Sequence, residues 1–247
     1  MLDALWRRLG IHKVIAAQAH SRRLGFDVKR ALFAMVANRA CAPCAKLYCW
    51  EQWLKEAVHI PGTEGLSLQH LYRAMDFLEA NKEPIERLIF PRVAELLNLD
   101  LEVLFHDTTS LHFEIDQPDC GTGKDDIVHA SVAAGRKAYQ APRKHGLSNN
   151  GRSDAPQIVV GLAVTREGFP VRHWVFPGNA VDVSNLAQVK RDLGDWQITR
   201  CLFVGDAGMV SAANFLALAV GGGKCLMCMP LRRGDALTEQ VLARAGR

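Results

Sequence analysis

The chain has 247 residues, of which 49% are hydrophobic and 23% charged, enough to bury the core of one large domain or two modest ones. No apolar run reaches the roughly 18–20 residues that a membrane span needs, and no signal-peptide pattern is present, so we expect a cytoplasmic protein. Residues 1–98 carry 14 basic against 10 acidic side chains, whereas the remainder carries 16 of each. The basic excess fits a polyanionic partner for the first segment, and a solvated helical surface explains it equally well.

The first segment, residues 1–98, is predicted to be helical, because its apolar residues recur at intervals of three and four. Asp27 and Ser67 precede such runs and are expected to cap two of the helices. A third helix is expected around Trp50 and Trp53, and a last one after Pro84. The seam to the next part of the chain is placed at residues 98–100.

After residue 100 the pattern changes to that of strands. The expected strands are residues 103–113, 158–165, 171–176, 201–205 and 224–230. A polar stretch, residues 114–156, interrupts them without clear periodicity and is treated as a long insertion. Helices are predicted before and after the fourth strand, the first capped by Asp182 or Ser184 and the second by Ser211.

The predicted order is three strands joined as a meander, followed by helix, strand, helix and strand. This is the layout of a ribonuclease-H-like sheet. The fold class is therefore α/β (α+β), with an all-helical N-terminal segment at residues 1–98. A partial ribonuclease-H-like core with a mixed five-stranded sheet follows at residues 99–247.

Two aspartates stand out against this layout. Asp107 lies inside an apolar strand, where aspartate is rare, and Asp206 ends the short apolar fourth strand. The first and fourth strands are neighbours in such a sheet, so the two carboxylates are expected to meet and to favour a bound cation. Mg²⁺ suits such a place because one or two carboxylates usually hold it. Asp206 as a turn residue and Asp107 as a structural residue are the alternatives.

Several stretches resemble the bacterial insertion-sequence transposases of the DDE type, in particular the insertion-sequence-four superfamily. They are residues 104–109 (LFHDTT), 157–171, 175–179 (VFPGN) and 204–209 (VGDAGM). The resemblance implies a ribonuclease-H-like core that uses Mg²⁺ or Mn²⁺ to cut and join DNA. It implies Asp107 and Asp206 as catalytic metal ligands, with transposon ends and target DNA as partners. It further implies self-association on DNA, location with the bacterial nucleoid, and neither a membrane nor a small-molecule substrate.

The third acid of the family, a glutamate in a tyrosine-arginine-glutamate pattern, has no match. Asp235 and Glu239 are the acids after Asp206. We therefore expect a C-terminally truncated transposase that is inactive alone. Two alternatives remain: a non-enzymatic DNA-binding remnant that modulates full-length transposase, and a metal nuclease that uses Glu239 as its third acid.

Other polar and sulfur-containing residues are open to two readings. Thr108, Thr109 and Asn179 could assist the site or fill a strand and a turn, and His106 is expected to pack on the opposite face from Asp107. Basic residues that could contact DNA phosphates, or simply be solvated, are Arg136, Lys137, Arg143, Lys144, His145, Arg172, Arg232 and Arg233. The seven cysteines include the pairs 41/44 and 225/228, for which buried reduced thiols are favoured over a zinc site.

Overall fold

The structure, a computed structural model, describes residues 1–20, 24–115, 117–119, 127–128, 139–140, 142–147, 151–198, 201–228, 238–240 and 243. The chain divides into two compact units, Met1–Leu99 and Asp100–Arg247. Across the described residues no helix is both long enough and apolar enough to cross a membrane.

The first unit is entirely helical in its regular elements. They are α1 (Leu2–Arg8), α2 (Ile11–Ala19), α3 (Val28–Cys41), α4 (Lys46–Tyr48), a π-helical segment (Cys49–Ala57), α5 (Leu68–Ala80) and α6 (Lys82–Leu97). Asp27 caps α3 by accepting hydrogen bonds from two backbone NH groups, and Ser67 caps α5, as predicted. Pro84 lies in the first turn of α6, so that helix begins at Lys82, three residues before the predicted start after Pro84.

The core of the first unit forms around α3, whose residues are mostly small or apolar. Ala31, Leu32 and Ala34 are almost fully buried, and Leu71 and Phe77 of α5 join the same cluster. The expected third helix is instead a π-helical segment that buries Cys49 and Trp53.

The second unit is built on a five-stranded sheet. Its strands are β1 (Val103–His112), β4 (Gln157–Thr165), β5 (Pro170–Pro177), β6 (Leu202–Gly205) and β7 (Lys224–Met227), in the spatial order β5-β4-β1-β6-β7. The first three form an antiparallel meander, and β6 and β7 run parallel to β1. This mixed sheet confirms the predicted fold class, a partial ribonuclease-H-like core.

The long polar insertion is described only in part. Two short strands within it, β2 (Ile127–Val128) and β3 (Tyr139–Gln140), pair antiparallel as a separate ladder. The turn between β4 and β5 is tight, since the Gly168 NH donates to the Thr165 carbonyl oxygen at 3.0 Å. Gly168 has φ of 85°, a conformation that favours glycine.

Two helices accompany the parallel strands: α7 (Asp182–Gly194) precedes β6, and α8 (Ala212–Ala219) precedes β7. Ser211 caps α8 by accepting from the Asn214 NH at 3.1 Å, as predicted. Neither Asp182 nor Ser184 is the cap of α7. That helix already includes Asp182, and its N-cap is Val181, which makes no side-chain cap hydrogen bond.

Candidate functional site: an acid pair on the central strands

Asp107 projects from the middle of β1 toward solvent. Burial alternates along this strand: Leu104 and His106 are buried, whereas Phe105 and Asp107 are exposed. Alternate residues of a strand face opposite sides of a sheet, so Phe105 and Asp107 share the open face. The Asp107 Oδ1 atom accepts a hydrogen bond from the backbone NH of Thr108 at 2.8 Å, which constrains the carboxylate.

Asp206 is the first residue beyond β6 and is also exposed. Its backbone is still extended, with φ of −80° and ψ of 167°, so the alternation of the strand continues through it. The chain then turns into a short 3₁₀ helix at Ala207–Met209. The acid therefore stands where the strand ends and the turn begins.

The register of β1 against β6 sets the two acids at the same level. Leu104 pairs with Phe203, and both are buried; Phe105 pairs with Val204 on the open face. Each aspartate follows its paired residue, Phe105 or Val204, by two positions. Extending the register by two residues brings Asp107 opposite Asp206, on the same face and on strands whose axes are about 4.8 Å apart.

The opposite face of the sheet supports the acid pair with an aromatic cluster. His106 is 4% exposed and lies between Trp174, at 5.8 Å between ring centroids, and Phe203, at 5.7 Å. Gly161 makes room for it, because a Cβ atom there would lie 3.1 Å from His106 Nε2 and from a ring carbon of Phe176. The histidine packs as predicted, and this rigid layer fixes the backbone from which Asp107 projects.

This donor set suits a hard divalent cation. Two neighbouring carboxylates repel each other when both are ionised, and a cation between them removes that cost. Mg²⁺ prefers oxygen ligands and commonly takes only one or two carboxylates, completing its shell with waters or phosphates. Among the described residues, no group of three or more His, Cys, Asp and Glu side chains suited to a metal is found.

Glu239, the alternative third acid, does not join the two aspartates in such a group. It is exposed, and its carbonyl oxygen accepts from the Ala243 NH at 2.9 Å, as in a helical turn. Asp235 lies outside the described residues.

Arg172, which the sequence offered as a phosphate contact or a solvated residue, is neither. It is 7% exposed, and its guanidinium donates to the Asp192 carbonyl oxygen at 3.0 Å. The same group lies 4.9 Å from the ring centroid of Trp196 and 5.5 Å from that of Trp174. Both readings were wrong because Arg172 lies on the buried face of β5 with Trp174 and Phe176, where it pairs with the buried Ala163.

The remaining predicted residues are less directly involved. Thr108 is half-buried, Thr109 is exposed, and Asn179 is exposed in the turn after β5. Arg143 forms an ion pair with Asp119, which ties the described ends of the insertion together. Arg136, Lys137, Arg232 and Arg233 lie outside the described residues.

The described cysteines are free thiols, but the pairs expected to be buried are not: Cys41 and Cys228 are exposed, and Cys44 and Cys225 are half-buried. Cys44 exchanges hydrogen bonds with the side chain of Asn38 at 3.3 and 3.4 Å, and burial raises the pKa of the Cys49 thiol. A cavity of about 570 Å³ lies beside Trp50 in the first unit, and its lining includes neither aspartate. Asp107 and Asp206 are both exposed, so the acid pair is an open surface site.

The sequence did not identify Gly161 and Trp174 as residues that pack around His106 behind the acid pair. A glycine inside an otherwise apolar strand signals a close approach by a neighbour, and this signal was present at Gly161. The packing of Trp174 against His106 depends on the pairing of β4 with both β1 and β5, which local patterns do not specify.

The fold and the site together define a ribonuclease-H-like unit with an exposed acid pair at its centre. Neither family models nor curated proteins gave a match to the chain. Among solved structures, it is similar to a piggyBac transposase synaptic complex with hairpin DNA, at 11% identity and a TM-score of 0.41, over 88% of this chain and 44% of that one.

Two structures of Mos1 transposase are also similar. A paired-end complex with the left transposon end matches at 10% identity and a TM-score of 0.32, over 79% of this chain and 57% of that one. A pre-cleavage transpososome matches at 11% identity and a TM-score of 0.29, over 79% and 58%. The chain thus spans about half the length of these proteins, and its fold assignment rests on its own strand order.

Proposed function

We propose that this chain is part of a DDE-type transposase of the bacterial insertion-sequence class. In this proposal Asp107 and Asp206 bind Mg²⁺ or Mn²⁺ for DNA cleavage and strand transfer. The observation that carries the proposal is the acid pair: two exposed aspartates on neighbouring parallel strands, which the β1–β6 register, extended by two residues, sets opposite each other on the same face. The motifs that resemble the family contain both residues.

Each aspartate has a distinct part in holding the cation. Asp107 offers a carboxylate whose Oδ1 accepts a hydrogen bond from the Thr108 NH. Because the carboxylate is planar and rigid, this contact also restricts the direction of Oδ2. Asp206 offers a second carboxylate from the neighbouring strand end. A bound divalent cation would polarise a phosphate oxygen and lower the pKa of an attacking hydroxyl or water.

The exposure of the site favours a polymeric substrate. Both acids lie on an open sheet face, whereas sites for small molecules are usually concave and enclose most of the ligand. A DNA backbone can be laid along such a surface, with the scissile phosphate at the acid pair.

The Met1–Leu99 unit is proposed to help hold transposon-end DNA. Its sequence carries the whole basic excess of the chain, and exposed arginines lie on three helices: Arg39 of α3, Arg73 of α5 and Arg87 of α6. Contacts between such cations and phosphates release counterions, so binding should weaken steeply with salt. Replacing these three arginines by glutamine in the whole chain should reduce the salt dependence in a filter-binding assay. An unchanged salt dependence would remove this part of the proposal.

Metal binding is the decisive test, because it does not depend on which residue supplies a third acid. Calorimetric titration with Mn²⁺ should show binding to the unmodified chain and at least a tenfold loss of affinity in Asp107→Asn and in Asp206→Asn. Asp195→Asn is the matched control, since Asp195 is an exposed aspartate at the end of α7. Equal affinity in all four proteins would overturn the metal assignment.

A further inference from the structure

Three cysteines lie close together in the first unit, where α3 ends and the π-helical segment begins. Cys41 is the last residue of α3 and is exposed, Cys44 follows in the connection and is half-buried, and Cys49 is buried as the first residue of the π-helical segment. Neighbouring thiols can react with an oxidant and then with one another. These nucleophilic side chains belong to the Met1–Leu99 unit and have no part in the proposed metal site.

The backbone places Cys44 and Cys49 at two positions that commonly pack against each other where a helix starts. Ala45 is the N-cap of α4, and the Cys49 NH donates to the Ala45 carbonyl oxygen at 2.9 Å, so the first helical turn closes on Cys49. Cys44 is therefore the residue before the cap, and Cys49 is the fourth residue of the helical run. Side chains at these two positions are neighbours in the hydrophobic staple. Both belong to one apolar cluster, Cys49 as a buried member and Cys44 packed against it.

The pKa of Cys49 agrees with this proximity. Burial raises the pKa of the Cys49 thiol, and negative charge on Cys44 raises it further, as expected for two sulfur atoms that lie close together. Cys49 is therefore a protonated, shielded thiol near neutral pH. Cys44 is the sulfur of this pair that a reagent from solvent reaches first.

The side chain of Asn38 holds the sulfur of Cys44 in place. Asn38 is 1% exposed, and its Nδ2 donates to the Ala42 carbonyl oxygen at 2.8 Å, which anchors the amide at the end of α3. The same Nδ2 donates to Cys44 Sγ at 3.3 Å, and a hydrogen bond donated to sulfur favours the thiolate, the form that reacts with oxidants. When Cys44 is protonated, its thiol donates to Asn38 Oδ1 at 3.4 Å, so the amide binds both forms.

We propose that Cys44 and Cys49 are a redox-sensitive pair that a hydroperoxide converts into a disulfide. The Cys44 thiolate attacks a peroxide oxygen and breaks the O–O bond, which gives a sulfenic acid and releases an alkoxide or hydroxide that takes the proton of Cys49. The Cys49 thiolate then attacks the sulfenic sulfur, forms the S–S bond and expels hydroxide, which leaves as water with the proton first lost by Cys44. Two thiols are oxidised by two electrons in total, and the peroxide is reduced to an alcohol, or water, and a further water.

Peptide mapping of the whole chain tests this proposal, because trypsin separates the two cysteines. Cleavage after Arg39, Lys46 and Lys55 places Cys41 and Cys44 together in peptide 40–46 and Cys49 in peptide 47–55. After treatment with a small excess of hydrogen peroxide and alkylation of the remaining thiols, mass spectrometry should show the two peptides joined with the loss of two hydrogens. Dithiothreitol should separate them. A disulfide confined to peptide 40–46, or oxidation of Cys44 to a sulfinic acid while Cys49 is alkylated, would overturn the proposal.

Cys41→Ser is the matched control, since it removes the exposed thiol three residues before Cys44. The joined peptides should form in this variant as they do in the unmodified chain, whereas Cys44→Ser should abolish them. Loss of the link in Cys41→Ser, or its persistence in Cys44→Ser, would assign the reaction to Cys41 and contradict the inference. Circular dichroism checks that Cys44→Ser keeps its helices; if it does not, the maps of the unmodified chain and of Cys41→Ser decide the outcome.

Discussion

The assignment of the two sheet faces can be tested with a pair of phenylalanines on neighbouring strands. Phe203 is 1% exposed and Phe105 is 41% exposed, and they lie on opposite faces of the same sheet. Phe203→Ala removes a fully buried ring and leaves a cavity, so it should lower the free energy of unfolding by about 3–5 kcal/mol. Phe105→Ala loses only the buried part of its ring and leaves no cavity, so it should cost about 1–2 kcal/mol.

The assay is amide hydrogen exchange of the β4 peptide in the whole chain, because this strand pairs with β1 and reports on the second unit alone. The opening free energies of the two variants should differ by about 2 kcal/mol, with Phe203→Ala the less stable. Equal losses of opening free energy in the two variants would mean that the face carrying Asp107 is covered in solution, and the assignment of the acid pair to an open face would then be wrong.

Three further predictions concern the local structure. Gly178→Ala would place a Cβ onto a carbonyl oxygen of β4 and should destabilise the second unit strongly, whereas Gly194→Ala, with open space around it, should be near neutral in the same exchange experiment. Asp27→Ala removes the cap of α3 and should lower stability by about 1 kcal/mol, measured by circular dichroism in urea; an unchanged midpoint would contradict the cap. Burial raises the pKa of Asp119, but hydrogen bonds and the charge of Arg143 outweigh it and leave that pKa lowered. The pair therefore stabilises fully above the unfolded pKa of about 3.9 and loses its effect as the pH falls below that value. Exchange of residues 142–147 should rise in this range, and Arg143→Gln should abolish the pH step.

The strands and caps could be predicted from the sequence because their signals are local. Alternation along residues 103–113 predicted β1 within one residue, and single side chains such as Asp27 and Ser211 marked helix starts. Val181 shows the limit of this approach: α7 begins without a side-chain cap, so neighbouring Asp and Ser residues misled the prediction.

Features that have no local sequence signal, or that depend on contacts between distant elements, could not be predicted. The π-helical form of Cys49–Ala57 has no distinctive residue pattern, and the burial of Arg172 depends on two tryptophans and Asp192 arriving from separate elements. Adjacency of the acid-bearing strands followed from the predicted topology. Their equal level required the register itself, because a shift of one residue would place one acid on the opposite face.

The two acids differ in how firmly the backbone holds them. Asp107 belongs to a ladder of nine residue pairs between β1 and β4, whereas Asp206 stands just past a ladder of three pairs and enters a turn at once. In the proposed metal site, the carboxylate of Asp107 would therefore be held in a fixed position, and that of Asp206 could shift through small changes at the turn. Such a site would accommodate cations of different radius through movement of Asp206 alone, without disturbing the centre of the sheet.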